Sequence, residues 1–282
     1  MMSKTLPELF LKRLNQIVPD QDTETFFKAK LFKTFRVNLL KVQTGYVQSA
    51  LKDQSIPFEV CPWYAPAIIV PSAFEEQILA SPLISQGQLY AQGLESMQPV
   101  IVLDPQPGEA VLDLCAAPGG KTTQMAAYMR NEGTLLANEP VRKRFYRLKS
   151  VVDLLQAKVR LTMADGRYLR HQEMFDRILV DAPCSSEGRF LEDDPKTYAY
   201  WSLRKIHEMA HKQKGLLLNA GRLLKPGGVL VYSTCTFAPE ENEAVVDWFL
   251  RKTTGEFKLA ERMRVLPDER RAGFFIAKLI RP

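Results

Sequence analysis

A chain of 282 residues with 46% hydrophobic side chains can bury one large core, or a medium core beside a small lobe, so it needs no disulfide or metal staple to fold. Its 38 Lys and Arg against 32 Asp and Glu leave a net charge of +6, which favours a polyanionic partner without identifying one; residues 1–83 are nearly balanced, which excludes a basic N-terminal tail. The four cysteines, Cys61, Cys115, Cys184 and Cys235, form no C-x-x-C pair and argue against a disulfide framework or a zinc knuckle.

The opening stretch MMSKTLPELFLKRL has charges within its apolar residues and no small-residue cleavage site, and no apolar run nears the roughly 20 residues of a membrane helix. A cytoplasmic, metal-free protein is expected. From Leu6 to Lys33 apolar residues recur at helical spacing, broken at Val18, Pro19 and Asp20, so two short helices are predicted, the second capped by Asp22. RVNLLKV then reads as a strand, TGYVQSALKDQ as a helix, and IPFEVCPWYAPAIIV as strand-like pieces interrupted by Pro62 and Pro66. Pro71 and Pro82 bracket another short helix. These elements make a small helical and α+β lobe over residues 1–83.

Beyond residue 84 strands and helices alternate. AVLDLCA, GTLLANE, KVRLTMAD, FDRILVDAP, GGVLVYSTCT and GFFIAKLI are apolar strands; TTQMAAYMR, VRKRFYRLKSVVDLL, a segment from Leu203 and NEAVVDWFL are amphipathic helices. Such a series predicts a parallel sheet covered on both faces, with ligands bound beyond the carboxyl ends of its strands.

The turn LDLCAAPGGKT joins the first of these strands to a helix. Its small residues, Ala116, Ala117, Gly119 and Gly120, let a ligand approach the backbone near the helix N-terminus. A phosphate-binding P-loop needs glycine where Cys115 stands, and the dinucleotide fingerprint G-x-G-x-x-G is absent. Glu139, 20 residues after Gly119 at the end of the second strand, is placed to accept both hydroxyls of a ribose. An adenosine-containing cofactor without a pyrophosphate is S-adenosylmethionine, and Asp165, ending the third strand, is a candidate acceptor for its adenine amino group. An ordinary strand-to-helix turn flanked by polar loop residues is the plain alternative.

The fourth strand runs into Asp181-Ala-Pro-Cys184-Ser-Ser and the fifth into Ser233-Thr-Cys235-Thr. If these strands are neighbours, about 4.8 Å apart, two thiols face one substrate. Either cysteine alone reads as a small buried hydrophobe; together, beside Asp181 and a methyl-donor turn, they suggest chemistry. Carbon 5 of cytosine is too weak a nucleophile to accept a methyl group unless a thiolate first adds to carbon 6, so methylation there requires covalent catalysis. A carboxyl such as Asp181 suits a contact to ring nitrogen N3, and a base must later remove the carbon 5 proton. An unperturbed thiol is only about 3% ionised at pH 7, so the nucleophile needs nearby positive charge, with Lys121 and the cofactor sulfonium as candidates.

CAAPGGKT, DAPCSSEG and STCTFAPEENE, in this order, resemble the NOL1/NOP2/Sun family of RNA cytosine-5 methyltransferases, which includes bacterial rRNA enzymes of the Fmu type. The resemblance covers residues 84–282 and, less distinctly, FRVNLLKV and PFEVCPWYAPAIIV. It implies an α/β class I fold, Rossmann-like, with a seven-stranded, mostly parallel sheet, preceded by an RRM-like RNA-binding lobe. It further implies that Cys235 attacks carbon 6, that Cys184 assists product release, and that residues 115–121 (Cys115, Ala116, Ala117, Pro118, Gly119, Gly120, Lys121), Glu139, Asp165 and Asp181 line the cofactor and base pocket. DNA cytosine-5 methyltransferases attack with the other cysteine; a DNA enzyme and a non-catalytic RNA-binding factor are the rival readings. The expected partner is structured RNA, rRNA or tRNA, met by a monomer. Ser186 departs from the glycine frequent at its place. Since the final strand is followed only by Arg281 and Pro282, RNA recognition is expected to fall to the N-terminal lobe and the catalytic surface, where RKRFYRLK is either a phosphate contact or a solvated helix face.

Overall fold

The computed structural model describes residues 6–19, 21–23, 25–172 and 174–282. Its first elements are α1 (Glu8–Ile17), β1 (Phe32–Val37), α2 (Thr44–Asp53), β2 (Glu59–Val60), β3 (Ala67–Pro71), α3 (Glu75–Leu79), α4 (Pro82–Ser85) and β4 (Leu89–Ala91). The helix expected from Asp22 does not form; residues 25–27 make a turn, and Asp20 and Glu24 lie outside the described residues. Phe26 and Phe27 enter one cluster with Phe10, Phe190 and Phe237, the Phe10 and Phe27 rings 5.3 Å apart. Successive helical residues point about 100° apart, so a turn serves this double insertion better.

The lobe is an antiparallel sheet of order β2-β3-β1-β4. Its fourth strand lies beyond residue 83 and pairs with β1, Phe35 opposite Ala91, which extends the lobe past the expected boundary. Strand β1 begins earlier than the RVNLLKV run. The chain turns at Asn38, whose amide donates to Gly87 O and Leu155 O, both at 2.9 Å. On one face Phe35, Val37, Ile68 and Val70 pack against Val47 and Leu51 of α2. On the other, Ala67 and Ile69 meet Leu94 and Met97, so both faces of β1 and β3 are covered.

The remaining elements are α5 (Leu94–Leu103), β5 (Ala110–Asp113), α6 (Gly120–Tyr128), β6 (Thr134–Asn138), α7 (Arg142–Leu155), β7 (Arg160–Thr162), β8 (Phe175–Asp181), α8 (Leu203–Leu223), β9 (Leu224–Thr234), α9 (Glu243–Lys252), β10 (Lys258–Val265) and β11 (Phe274–Ile280). They build a seven-stranded sheet of order β10-β11-β9-β8-β5-β6-β7, parallel from β9 to β7, with β11 antiparallel to both β9 and β10. Alternate residues divide between two cores. Ile178, Val180, Leu230 and Tyr232 pack with Leu216, Leu217 and Phe249 of α8 and α9, while Leu179 and Val231 pack with Val100, Leu103 and Met125 of α5 and α6. Period-two burial on both faces explains why these strands read as continuous apolar runs. The sheet order reverses between β8 and β5, the place where a doubly wound sheet opens a crevice. No helix among the described residues is long and apolar enough to cross a membrane.

Candidate active site

At that crevice a cavity of about 520 Å³ brings together Cys115, Ala116, Ala117, Pro118, Gly120, Lys121, Asp181, Cys184 and Cys235. Gly119, Glu139 and Asp165 are not on its wall. Gly119 caps α6 with φ 114°, and a β-carbon there would meet Leu148 and Val151 of α7 at 3.1 Å. The glycine thus serves both the left-handed turn and close packing of α7 beneath it. Glu139 is buried behind the turn; its Oε1 accepts from Val141 N at 2.9 Å, and Arg144 Nη1 lies 3.3 Å from Oε2. Arg144 also donates to Ala117 O at 2.8 Å and lines the cavity, so one arginine of the basic segment is tied to the turn. Asp165 holds Arg167 bidentately, with its closest contact at 2.6 Å, and these hydrogen bonds keep its carboxyl below the usual carboxylate range.

The register explains why the thiols meet. β8 and β9 pair in parallel with Asp181 opposite Ser233, so Cys184 and Cys235 leave adjacent strands at one level, and their sulfurs lie 3.3 Å apart. Hydrogen bonds then lock the two exit loops together. Ser185 Oγ and Thr236 Oγ1 are 2.7 Å apart, Gly188 N donates to Cys235 O at 2.9 Å, and buried Glu187 accepts from Thr236 Oγ1, Phe237 N and Trp201 Nε1. Glu241 accepts from Ser185 N at 3.1 Å and from Gln213 Nε2 at 2.8 Å, and burial pushes its carboxyl up to about 7. Gly188 has no room for a side chain, since a β-carbon would sit 2.3 Å from Gly273 O.

The two thiols are unequal. The contact with Cys184, the charge of Arg189 and the nearby Ser186 hydroxyl hold Cys235 below the ordinary thiol range, while the shared contact and burial push Cys184 up. Ser186 adopts φ 63° and places its Oγ 3.6 Å from Cys235 Sγ, so the residue that departs from glycine tolerates a left-handed conformation and adds a polar group beside the sulfur. Arg189, exposed at the cavity edge, was not expected. Lys121, the expected cation, instead pairs with Asp181 Oδ2 at 2.8 Å and donates to Ser96 Oγ at 2.7 Å, while Asp181 Oδ1 accepts from Ser233 Oγ at 2.8 Å. The Lys121 side chain is 8% exposed and that of Asp181 26%, so the carboxylate retains a face toward the cavity.

Further residues around the site were not singled out from the sequence, Asp113 although it stands within LDLCAAPGGKT. Asp113 ends β5; Thr122 Oγ1 donates to its Oδ2 at 2.6 Å, its buried Oδ1 accepts no hydrogen bond among the described residues, and burial pushes the carboxyl up to about 7. On the lobe side Tyr90, Ala91, Gln92 and Gly93 wall the cavity. Fully buried Arg36 of β1 donates to Gln92 Oε1 at 2.7 Å, Thr123 Oγ1 at 2.8 Å and Gly120 O at 3.2 Å, which fastens the lobe to the first turn of α6. Burial and neighbouring carboxylates push Cys115 well above the ordinary thiol range, so it is an inert wall group.

Residues 100–280 match the family model described as 16S rRNA methyltransferase RsmB/F. A tRNA (cytosine(49)-C(5))-methyltransferase of Pyrococcus abyssi is 38% identical over 259 residues, 90% of this chain and 82% of that protein. Ribosomal RNA small subunit methyltransferase F of Vibrio vulnificus is 35% identical over 273 residues; the match takes 93% of this chain but only 57% of that protein. The crystal structure of a methyltransferase homologue from Pyrococcus horikoshii superposes with a TM-score of 0.86 at 30% identity, covering 99% of this chain and 96% of that one.

Proposed function

Since the chain belongs to the 16S rRNA methyltransferase RsmB/F family, we propose that it is an S-adenosylmethionine-dependent RNA cytosine-5 methyltransferase with Cys235 as nucleophile. The single observation that carries the reading is the pair of sulfurs 3.3 Å apart in one cavity with the Gly-rich turn and the Lys121–Asp181 pair. The turn 115–121 and Glu139 would hold the cofactor, with Asp165 beyond them. The small residues admit a ligand to the backbone, and the buried oxygens Asp113 Oδ1 and Glu139 Oε2, which accept no hydrogen bond among the described residues, fit a ligand rich in amino and hydroxyl donors. Bound there, S-adenosylmethionine supplies an electrophilic methyl group.

This chain's residues do the rest. Cys235 Sγ adds to carbon 6 as a thiolate, kept ionised by Arg189 and by its contact with Cys184. The Lys121–Asp181 pair meets the polar edge of the base at N3, where electron density gathers on addition. Once carbon 5 carries the methyl group, a base, the Cys184 thiolate or water, takes up the carbon 5 proton; the electron pair re-forms the double bond between carbons 5 and 6 and expels Cys235 Sγ as its thiolate. Cys184, whose thiol is held neutral until Cys235 is bonded to the base, serves that release. The target base must be unstacked to reach the cavity. Structured tRNA or small-subunit rRNA is the substrate class, met by a cytoplasmic monomer, with the N-terminal lobe guiding RNA through loops and α2 because its sheet faces are covered.

The test is labelled S-adenosylmethionine with total RNA, read on a denaturing gel and by bisulfite sequencing. Cys235→Ala abolishes transfer, and Cys184→Ala accumulates a protein–RNA adduct. An active Cys235→Ala enzyme, or an adduct through Cys184, as a DNA-type mechanism requires, overturns the assignment.

A further inference from the structure

Helix α8 carries a second feature. Gln213 faces the cysteine loops, donating to Pro183 O at 2.9 Å. Beginning one residue on, Lys214, Leu218 and Arg222 recur every four residues and form a stripe rotated about 100° from it. With His211 of α8, Trp248 of α9 and the loop residues Arg167 and Tyr168, this stripe bounds a cleft of about 470 Å³ whose wall, among the described residues, contains no carboxylate.

The cleft has the composition of a nucleic-acid site. Arg167 stands over the Tyr168 ring at 5.3 Å and Lys214 over the Trp248 ring at 5.7 Å, while Tyr168 is 72% exposed and keeps ring surface open. Arg167 is held by Asp165, but among the described residues His211, Lys214 and Arg222 enter no ion pair. Lys214 and Arg222, unneutralised beside the open Tyr168 ring, suit a ligand that is both anionic and planar, and a strand of RNA supplies phosphates and bases. An acidic protein surface would satisfy the cations and leave the exposed face of Tyr168 uncovered. Asn219 fixes the floor, its amide donating to Gly166 O at 2.8 Å and Leu169 O at 3.0 Å, so the loop bearing Tyr168 is built onto α8.

We propose that this cleft is a second RNA-binding site, holding an unpaired segment of the substrate outside the reaction cavity with a base against Tyr168 and phosphates on Lys214 and Arg222. The proposal rests on the reading of the chain as an RNA methyltransferase. It is tested with a labelled 12-nucleotide oligouridylate in binding titrations over a range of salt, and with methyl transfer to total RNA. The proteins are the wild type, K214E/R222E, Y168A and, as a charge control on exposed strand β10, K258E. K214E/R222E should weaken oligouridylate binding about 10-fold at low salt and reduce the log–log salt slope by roughly 1.4, about 0.7 for each lost phosphate contact. Y168A should weaken it about 10-fold with the slope unchanged. Both should raise the KM for RNA and retain kcat. Absent wild-type binding, unaltered affinity in both variants, or an equal loss in K258E overturns the proposal. A wild type that binds oligouridylate through this cleft yet methylates no RNA refutes the enzymatic reading instead.

Discussion

Glu187 offers the most direct measure of how firmly the two cysteine loops are joined. Its side chain is 1% exposed and accepts from Trp201 Nε1 at 2.8 Å, Thr236 Oγ1 at 2.9 Å and Phe237 N at 3.1 Å. In Glu187→Ala the Thr236 hydroxyl can turn to Ser185 Oγ, already 2.7 Å away, but the two N–H donors are left without acceptors. At about 1–3 kcal/mol for each stranded donor, with some recovery by entering water, the loss is roughly 3–4 kcal/mol. That is a large share of a typical total of about 5–15 kcal/mol, and at ~2–4 °C per kcal/mol it lowers Tm by roughly 10 °C. Glu187→Gln keeps one acceptor but turns an amide toward a donor, so it should lose about half as much. Circular dichroism melts give the order of the three proteins, and transfer assays below the Glu187→Gln melt should show reduced kcat because Thr236 follows Cys235 directly. A Glu187→Ala protein within ~1 kcal/mol of wild type, or equal damage from both substitutions, would refute the reasoning.

Two further outcomes follow from the same geometry. Because the form of Cys235 proposed to react is the thiolate and its pKa is held down by Cys184 and Arg189, the acid limb of kcat/KM should lie below the ordinary thiol value of about 8.5, activity being lost as pH falls through the lowered value. Arg189→Gln should move that limb, and the pH dependence of iodoacetamide capture at Cys235, toward the ordinary value; an unmoved limb removes Arg189 from the account. Gly188→Ala drives a β-carbon to 2.3 Å from Gly273 O, backbone against backbone, and should cost about 2–3 kcal/mol by denaturant titration together with most of the activity. A Gly188→Ala enzyme of wild-type stability would show that the neighbouring hairpin yields freely.

What was legible in the sequence followed periodicity and punctuation. Strands β5, β6, β8, β9 and β11 stood out because both of their faces are apolar, and the turn and both cysteine loops because small residues and Pro-Cys pairs end apolar runs. Strand β10 was silent: KLAERMRV is an edge strand, largely exposed, whose charges blur any alternation. Helix α5 was left unassigned because Pro99 interrupts it and its β-branched run gives no helical alternation; its buried residues pack on β8 and β9. The second N-terminal helix failed for a tertiary reason, the joint insertion of Phe26 and Phe27. At the site, Arg189 and Arg36 escaped notice because a single arginine on a loop or strand carries no spacing signal, and the expected role of Lys121 beside the thiol shifted because Asp181 takes its charge.

The register of β8 on β9 acts as a ruler. The gap between the sulfurs is set mainly by the spacing of two hydrogen-bonded strands, Asp181 opposite Ser233, rather than by the length of chain joining them. Extra residues in the connection through α8 would leave that gap intact. A slip of β9 by a single residue would turn Cys235 to the opposite face of the sheet and part the thiols altogether. The chemistry proposed for this protein is therefore written in strand pairing, and the backbone ladder belongs to the proposed catalytic apparatus as much as the side chains it presents.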